Sequence, residues 1–245
     1  MSALHSTIGI VLRSFTYSEN SAIVSIYTQL FGRQDYIVFG VQKGKNKKSA
    51  LLQPLTLLNL EVYHSEKKEL QKIKEMSIHI PFQSIPFQPY KNLITLFLAD
   101  VLHHILREKE QNLPLYSFLE NAITYLDLKE SSISDFHIFF LVKLSRFIGI
   151  MPTFDLLDDN ELFFDSKNGL FSTTKLNHPW CWNIQISTDF RLYLSQQNEF
   201  GLTVSLPMSG KRRSDLLEKL LEYFALHLEG FQIVKSLDII REILA

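Results

Sequence analysis

Short β-type segments separated by polar or glycine-containing breaks make up the first 75 residues of the chain, and no helical period persists through them. We count five such segments, over residues 8–15, 22–28, 36–41, 57–63 and about 70–75. Five short strands in so short a stretch predict a small closed barrel of the OB-fold or SH3-like type, because closure leaves no unpaired edge strand.

The alternation of apolar and polar residues assigns faces to these strands. It places Val11 and Arg13 on one face of the first strand, and it turns Ser25 and Tyr27 outward on the second. Tyr27 is therefore our candidate for an exposed ring that stacks on single-stranded bases, with Arg13 and Arg33 beside it. The alternative for an aromatic residue in a barrel strand is a place in the core.

Three prolines fall within residues 81–89, where neither a helix nor a central strand tolerates them. The apolar period then changes to about 3.6 residues, which predicts amphipathic helices from about 93 to 148, again near 189–194 and 214–230, and over 236–244. Residues 154–188 show no periodicity. We expect an α+β protein, with an OB-fold domain over 1–80 and a helical domain over 81–245 that carries an irregular insert at about 154–188.

A cluster of lysines follows the third strand. It places four lysines in six positions without an acid: Lys43, Lys45, Lys47 and Lys48. The formal net charge of the whole chain is −1, but residues 1–80 hold ten Lys or Arg against six Asp or Glu. A basic loop beside a barrel strand indicates salt-sensitive, sequence-independent binding of nucleic acid through phosphates. A solvated loop that serves solubility is the alternative.

Motifs for catalysis or metal binding are weak. The segment Gly40–Lys45 departs from a phosphate-binding P-loop because its glycine spacing is one residue short and because Asn46 follows it in place of the required Ser or Thr, so we reject nucleotide hydrolysis there. His178 and Cys181 supply at most two of four zinc ligands, and the acids of 155–165 lack the glycine and final glutamate of a calcium loop. We expect a protein that is not an enzyme and has no cofactor.

Two features of the sequence indicate the compartment. A single cysteine excludes an internal disulfide and agrees with reducing conditions. The sequence contains no run of eighteen apolar residues, and the first six residues lack the pattern of a signal peptide. We expect a soluble, cytoplasmic protein without membrane contact.

The order of these features resembles the RecO family of bacterial recombination mediators. The matching segments extend over nearly the whole chain: Gly9–Arg13, Tyr17–Asn20, Thr28–Gly32, Gly40 before the lysines, Gln53–Pro54, Phe147–Gly149 with Pro152, Tyr223, His227 and Lys235–Ser236.

The resemblance implies a protein that binds single- and double-stranded DNA through an N-terminal OB-fold and anneals complementary strands. It implies action with RecR, contact with the single-stranded-DNA-binding protein, and help in loading RecA, at the nucleoid during repair. The DNA-binding candidates that it carries over are the four lysines, with Arg13 and Arg33. Many members also carry a four-cysteine zinc motif, of which this chain keeps Cys181 alone. We therefore expect the insert to be held by apolar residues: Phe163, Phe164, Phe171, Trp180 and Trp182.

Two other functions stay open at this point. The first is a protein-interaction module whose barrel binds peptides and whose lysine loop is incidental. The second is an enzyme with an unrecognised site, such as a nuclease that uses a metal and the acids of 155–165.

Overall fold

The computed structural model describes residues 2–41, 47–130, 133–153, 162–196 and 208–232, together with Val234, Ser236, Leu237 and Ile240. The chain divides into two compact units, residues 1–128 and 129–245. Lys43, Lys45, the acids of 155–161 and most of the last predicted helix lie outside the described residues. The domain boundary that we drew at residue 80 stays a prediction.

The first unit begins with the five expected strands, which close into a barrel in the order β1-β2-β3-β5-β4. The strands are β1 (Ala3–Ser18), β2 (Ser21–Thr28), β3 (Gly32–Phe39), β4 (Leu57–His64) and β5 (Leu70–Ile80), with the short helix α1 (Lys47–Leu51) before β4. The pairing of β3 with β5 is parallel and the other four pairings are antiparallel. The structure therefore confirms the α+β fold class and the OB-type barrel.

The barrel interior is filled by alternate residues of its strands, as the sequence pattern predicts for β2 and β4. The buried core includes Val11, Ala22, Val24, Ile26, Tyr36, Val38, Leu58, Leu60, Val62 and Ile73. The prediction for β1 is wrong. An irregularity in the β1–β2 register between Val11 and Arg13 puts an extra residue into β1, so that Val11 lies in the core and Arg13 is exposed.

Helices α2 (Pro89–Ile105) and α3 (Leu113–Leu128) complete the first unit. The segment that joins β5 to α2 is fixed by Asp127 in the last turn of α3. Its carboxylate accepts hydrogen bonds from the backbone N–H groups of Gln83 at 2.7 Å, Ser84 at 2.9 Å and Ile85 at 2.8 Å. The buried Lys91 donates to the Asp127 carbonyl oxygen at 2.8 Å. Side-chain hydrogen bonds thus hold in place a segment in which proline prevents regular structure.

The second unit contains helices α4 (Phe136–Phe147), α5 (Ile184–Ser195) and α6 (Gly210–His227), which contact one another. Between α4 and α5 lies a three-stranded antiparallel sheet of β6 (Phe163–Asp165), β7 (Leu170–Ser172) and β8 (Cys181–Trp182), with β6 in the middle. The expectation of an irregular insert is therefore wrong for this part. Strands of two or three residues are too short to show an alternating pattern in the sequence.

The small sheet is stabilised by aromatic packing. The buried ring of Phe164 lies 4.8 Å from that of Trp182, 4.9 Å from Phe171, 5.0 Å from Phe190 and 5.7 Å from Tyr223. Trp180, which we also expected to hold the insert, is 41% exposed. With one cysteine in the chain, the residues present do not fit a four-cysteine zinc site, and the aromatic cluster occupies the centre of this subdomain.

Candidate nucleic-acid interface

The outer face of β1, β2 and β3 forms successive cross-strand rows that change from covered to open. The covered row consists of Ile10, Tyr27 and Arg33, which pair across the three strands. Ile10 and Tyr27 are buried, at 0% and 2% exposure. Directly paired residues point to the same face of a sheet, so these three side chains share the outer face. Tyr27 contacts α3 and Arg33 contacts the end of α2, so these helices cover this end of the face.

Tyr27 does not form an exposed platform, so that part of our prediction is wrong. It points away from the barrel interior, as the alternation indicates, but its ring stacks on Tyr116 of α3 with centroids 6.4 Å apart. Burial, followed by the nearby charge of Glu108, raises the pKa of Tyr27 to about 12. The contact with α3 could not be predicted from the alternation of residues within a single strand, because α3 is distant in the sequence.

Arg33 is also engaged within the first unit. Its guanidinium donates hydrogen bonds to the carbonyl oxygens of His103 at 2.9 Å and Leu106 at 3.3 Å, at the end of α2. Its backbone N–H donates to the Glu108 carbonyl at 2.9 Å. A cation on the last carbonyls of a helix stabilises that helix end, so the structure assigns Arg33 a packing role.

The neighbouring Gly32 packs closely against the connection between α2 and α3. Its φ is +58°, and a Cβ there would lie 2.4 Å from the Glu108 carbonyl oxygen. Any other residue at this position would meet both a strained backbone conformation and a backbone clash. The α2–α3 connection therefore closes directly onto the start of β3.

Arg13 lies in the next row, paired with Ser25, which in turn pairs with Asp35 and donates a hydrogen bond to its carboxylate. The Arg13 side chain is exposed. Burial, and then the positive charges of Arg33 and Arg13, lower the pKa of His103 to about 4. The structure thus brings the two predicted arginines to one region, where Arg13 is exposed and Arg33 is half-buried.

The open end of the face carries large exposed rings that sequence reasoning missed. Phe15 is 51% exposed, Tyr17 is 63% exposed and Phe39 is 51% exposed. Phe15 pairs with Ile23, Ile23 with Ile37, and Ile37 with Lys72 of β5, which forms one continuous row. The signal in the sequence was Phe15 and Tyr17 just before the β1–β2 turn and Phe39 at the end of the third strand, but the extra residue in β1 hid the face of Phe15.

Lysines border these rings. The Nζ of Lys72 lies 5.7 Å from the centroid of the Phe39 ring, within the range of a cation–π contact. Lys48 is exposed, and its Nζ donates to the Phe39 carbonyl oxygen at 3.0 Å. A groove of about 670 Å³ beside Phe39 is lined by Lys48, Lys72, Lys74 and Glu75 among others. One predicted lysine, Lys48, thus lies at this groove.

The other predicted lysines are less defined. The backbone of Lys47 begins α1, directly before Lys48, while its side chain is outside the described part of the chain. Lys43 and Lys45 belong to residues 42–46, which the structure leaves undescribed. Their part in any interface stays a prediction.

Two features of the described residues bear on the alternatives. Within those residues no group of three or more His, Cys, Asp or Glu side chains is placed to hold a metal ion. Among the helices of the described ranges, none has the length and apolar content needed to cross a membrane. The acids that the nuclease hypothesis would use lie in 155–161, outside the described residues, apart from Asp165.

A closed barrel of OB type with exposed rings and lysines on one outer face is typical of the class of OB-fold proteins that bind oligonucleotides. Comparison with known proteins agrees with this class. The family described as "Recombination protein O N terminal" matches residues 1–82, and "Recombination protein O C terminal" matches residues 86–156.

The chain is also similar to whole proteins. It is 36% identical to the DNA repair protein RecO of Bacteroides fragilis over 98% of this chain and 99% of the relative. It is 33% identical to the DNA repair protein RecO of Flavobacterium johnsoniae over 97% of this chain and 98% of the relative. The chain therefore belongs to the recombination protein O (RecO) family of non-enzymatic recombination mediators in DNA repair, as the resemblance predicted.

Proposed function

We propose that this protein binds single- and double-stranded DNA, anneals complementary strands and, together with RecR, helps load RecA onto strands coated by the single-stranded-DNA-binding protein. The observation that carries this proposal is its similarity to the B. fragilis DNA repair protein RecO, at 36% identity over 98% of the chain. The open, ring-bearing face of the barrel supports it. Action of this kind takes place in the cytoplasm, at the nucleoid.

The proposed grip on DNA is electrostatic. Lys43, Lys45, Lys47 and Lys48 contact phosphates, and Arg13 adds a charge on the same outer side of the barrel. Phosphate contacts of this type hold DNA regardless of its sequence and displace bound counterions. Tyr27 and Arg33 pack against α3 and the end of α2 at the covered end of the face, and do not contact DNA in this scheme.

Annealing then needs no covalent step. A strand held by its phosphates keeps its base edges available, and lysines reduce the repulsion between two polyanions that approach each other. The second unit recruits the coated strand through its protein partners.

The test is annealing of two complementary oligonucleotides, each first coated with the single-stranded-DNA-binding protein, followed by fluorescence quenching. We expect this protein to accelerate pairing and RecR to modify that rate. The absence of any acceleration, with binding to a partner protein intact, would favour the peptide-binding module. Metal-dependent shortening of the strands would show the nuclease instead.

A further inference from the structure

The three exposed rings at the open end of the barrel face are not required by the core. Phe15, Tyr17 and Phe39 are each at least half exposed, whereas the barrel interior is filled by other residues of the same strands. Scattered single apolar residues are normal on a protein surface, but a contiguous apolar patch marks a binding site. These rings indicate a binding site only if they lie next to one another.

The pairing of the strands shows how the rings are placed relative to one another. Phe15 and Lys72 terminate one cross-strand row, which Ile23 and Ile37 connect. Phe39 follows Ile37 by two residues on β3, so the two side chains share a face. Tyr17 lies at the second irregularity of the β1–β2 register, beside the pair Ser18 and Ser21. Phe15 and Phe39 thus lie on one face, on either side of the partly buried Ile23 and Ile37, and Tyr17 lies two residues beyond Phe15 in β1. We call these three exposed rings the aromatic patch (Phe15, Tyr17 and Phe39).

The surroundings of the aromatic patch are basic. Lys72 lies over the Phe39 ring, and Lys48 donates to the Phe39 backbone. Lys74 lines the same groove, where it also forms an ion pair with Glu61 at 2.9 Å. Exposed rings next to a lysine-lined groove fit a polyanion that carries flat apolar groups, which is the chemistry of an unpaired nucleic-acid strand.

The covered end of the face restricts the path of such a strand. Tyr27 and Arg33 are engaged by α3 and by the end of α2, so a strand cannot extend along the full length of β2 and β3. It can cross the aromatic patch and continue into the groove that adjoins Phe39. The site therefore accommodates a few nucleotides.

We propose that the aromatic patch stacks the bases of single-stranded DNA and makes the unpaired strand the preferred ligand of the barrel. This inference rests on the proposed function and specifies the form of DNA that the same face selects. Bases within a duplex are already stacked on each other and present no free face, so the patch discriminates between the two forms while the lysines bind both. Stacking holds a base by its face, its pairing edge stays open, and pairing with a complement removes it from the patch.

The test compares a triple variant, Phe15→Leu with Tyr17→Leu and Phe39→Leu, with the natural protein. Leucine keeps apolar surface and removes the rings, and the positions are exposed, so the unfolding temperature serves as a check on the fold. The probes are a single-stranded oligonucleotide with 2-aminopurine and a duplex of the same length. We expect the variant to bind the single strand at least tenfold more weakly, with loss of the 2-aminopurine quenching, and to bind the duplex within twofold of the natural protein.

Two controls make the result specific. Phe87→Leu changes a ring that is 79% exposed but lies outside the barrel strands, and should alter neither affinity. Phe39→Tyr keeps a ring and should retain quenching in the otherwise natural protein. Unchanged single-strand affinity in the triple variant would overturn the aromatic patch as a DNA site, with the proposed function intact. Equal losses of affinity for the single strand and for the duplex would show that the aromatic patch does not discriminate between the two forms of DNA. Failure of the natural protein to bind any DNA would instead reject the proposed function itself.

Discussion

The ring of Tyr27 in β2 stacks on the ring of Tyr116 in α3, with centroids 6.4 Å apart and planes inclined by 15°. This contact joins the barrel to α3 and divides the outer face into a covered end and an open end. Packing against α3 thus fixes where the barrel is able to receive a ligand.

Replacement of Arg33 by alanine should reduce stability far more than it reduces DNA affinity. The change removes two hydrogen bonds from a guanidinium to the carbonyls that end α2, which lowers the free energy of unfolding by about 1–3 kcal/mol. Urea unfolding measures this loss. Arg13→Ala is the matched control, because Arg13 is exposed and its removal should change stability by about 0.5 kcal/mol or less. A larger loss for Arg13 than for Arg33 would contradict these roles.

Asp127→Ala should destabilise the first unit by about 2–4 kcal/mol, because it leaves three backbone N–H groups without their acceptor. Asp127→Asn keeps one acceptor oxygen and should lose about half as much. Chemical unfolding followed by circular dichroism gives both values. Glu66 is an exposed carboxylate in the β4–β5 turn, so Glu66→Gln should have no measurable effect on stability. Equal losses of stability for Asp127→Ala and Glu66→Gln would refute the role of Asp127 in holding residues 83–85.

Acid should destabilise the second unit through His137. Burial, assisted by the positive charge of Arg213, lowers the pKa of His137 from 6.5 to about 3. The unfolded chain takes up this proton near pH 6.5 and the folded chain does not. Stability is therefore complete above about pH 6.5 and falls as the pH decreases toward 3, by about 1.4 kcal/mol per pH unit at most.

Both tryptophans of the chain, Trp180 and Trp182, lie in this unit, so tryptophan fluorescence during urea unfolding at several pH values reports the effect. His137→Gln should lower stability at pH 7.5 and flatten the dependence on pH. An unchanged slope in this variant would show that another group is responsible. His103 in the first unit shifts in the same direction, with a smaller effect because it is partly exposed.

Removal of metal should leave the second unit intact, because aromatic packing around Phe164 stabilises the small sheet. We expect a strong chelator to leave the unfolding temperature unchanged. Phe164→Ala should cost about 3–5 kcal/mol through the cavity it creates, whereas Leu170→Ala, at a side chain 47% exposed, should cost about 1 kcal/mol or less. A chelator-induced drop in unfolding temperature would mean that this chain binds a structural metal after all.

The barrel was predictable because its signal is local. Alternation in β2 and β4 places Val24 and Leu60 inside, and the structure agrees. The candidate site was less predictable for two physical reasons. Tyr27 faces outward as its strand pattern indicates, but α3 covers it from a distance in sequence that no local pattern reveals. In β1, one extra residue reverses the alternation, so that counting in steps of two from Val11 would place the exposed Phe15 in the core.

The central claim is that the barrel grips DNA through its lysines, and a salt series tests it most directly. We would measure the affinity for a fluorescent single-stranded oligonucleotide at increasing salt, for the natural protein and for a variant with Lys43, Lys45, Lys47 and Lys48 changed to glutamate. We expect steeply salt-dependent binding by the natural protein and a loss of both affinity and slope in the variant. Equal affinity and equal slope in the two proteins would contradict the account.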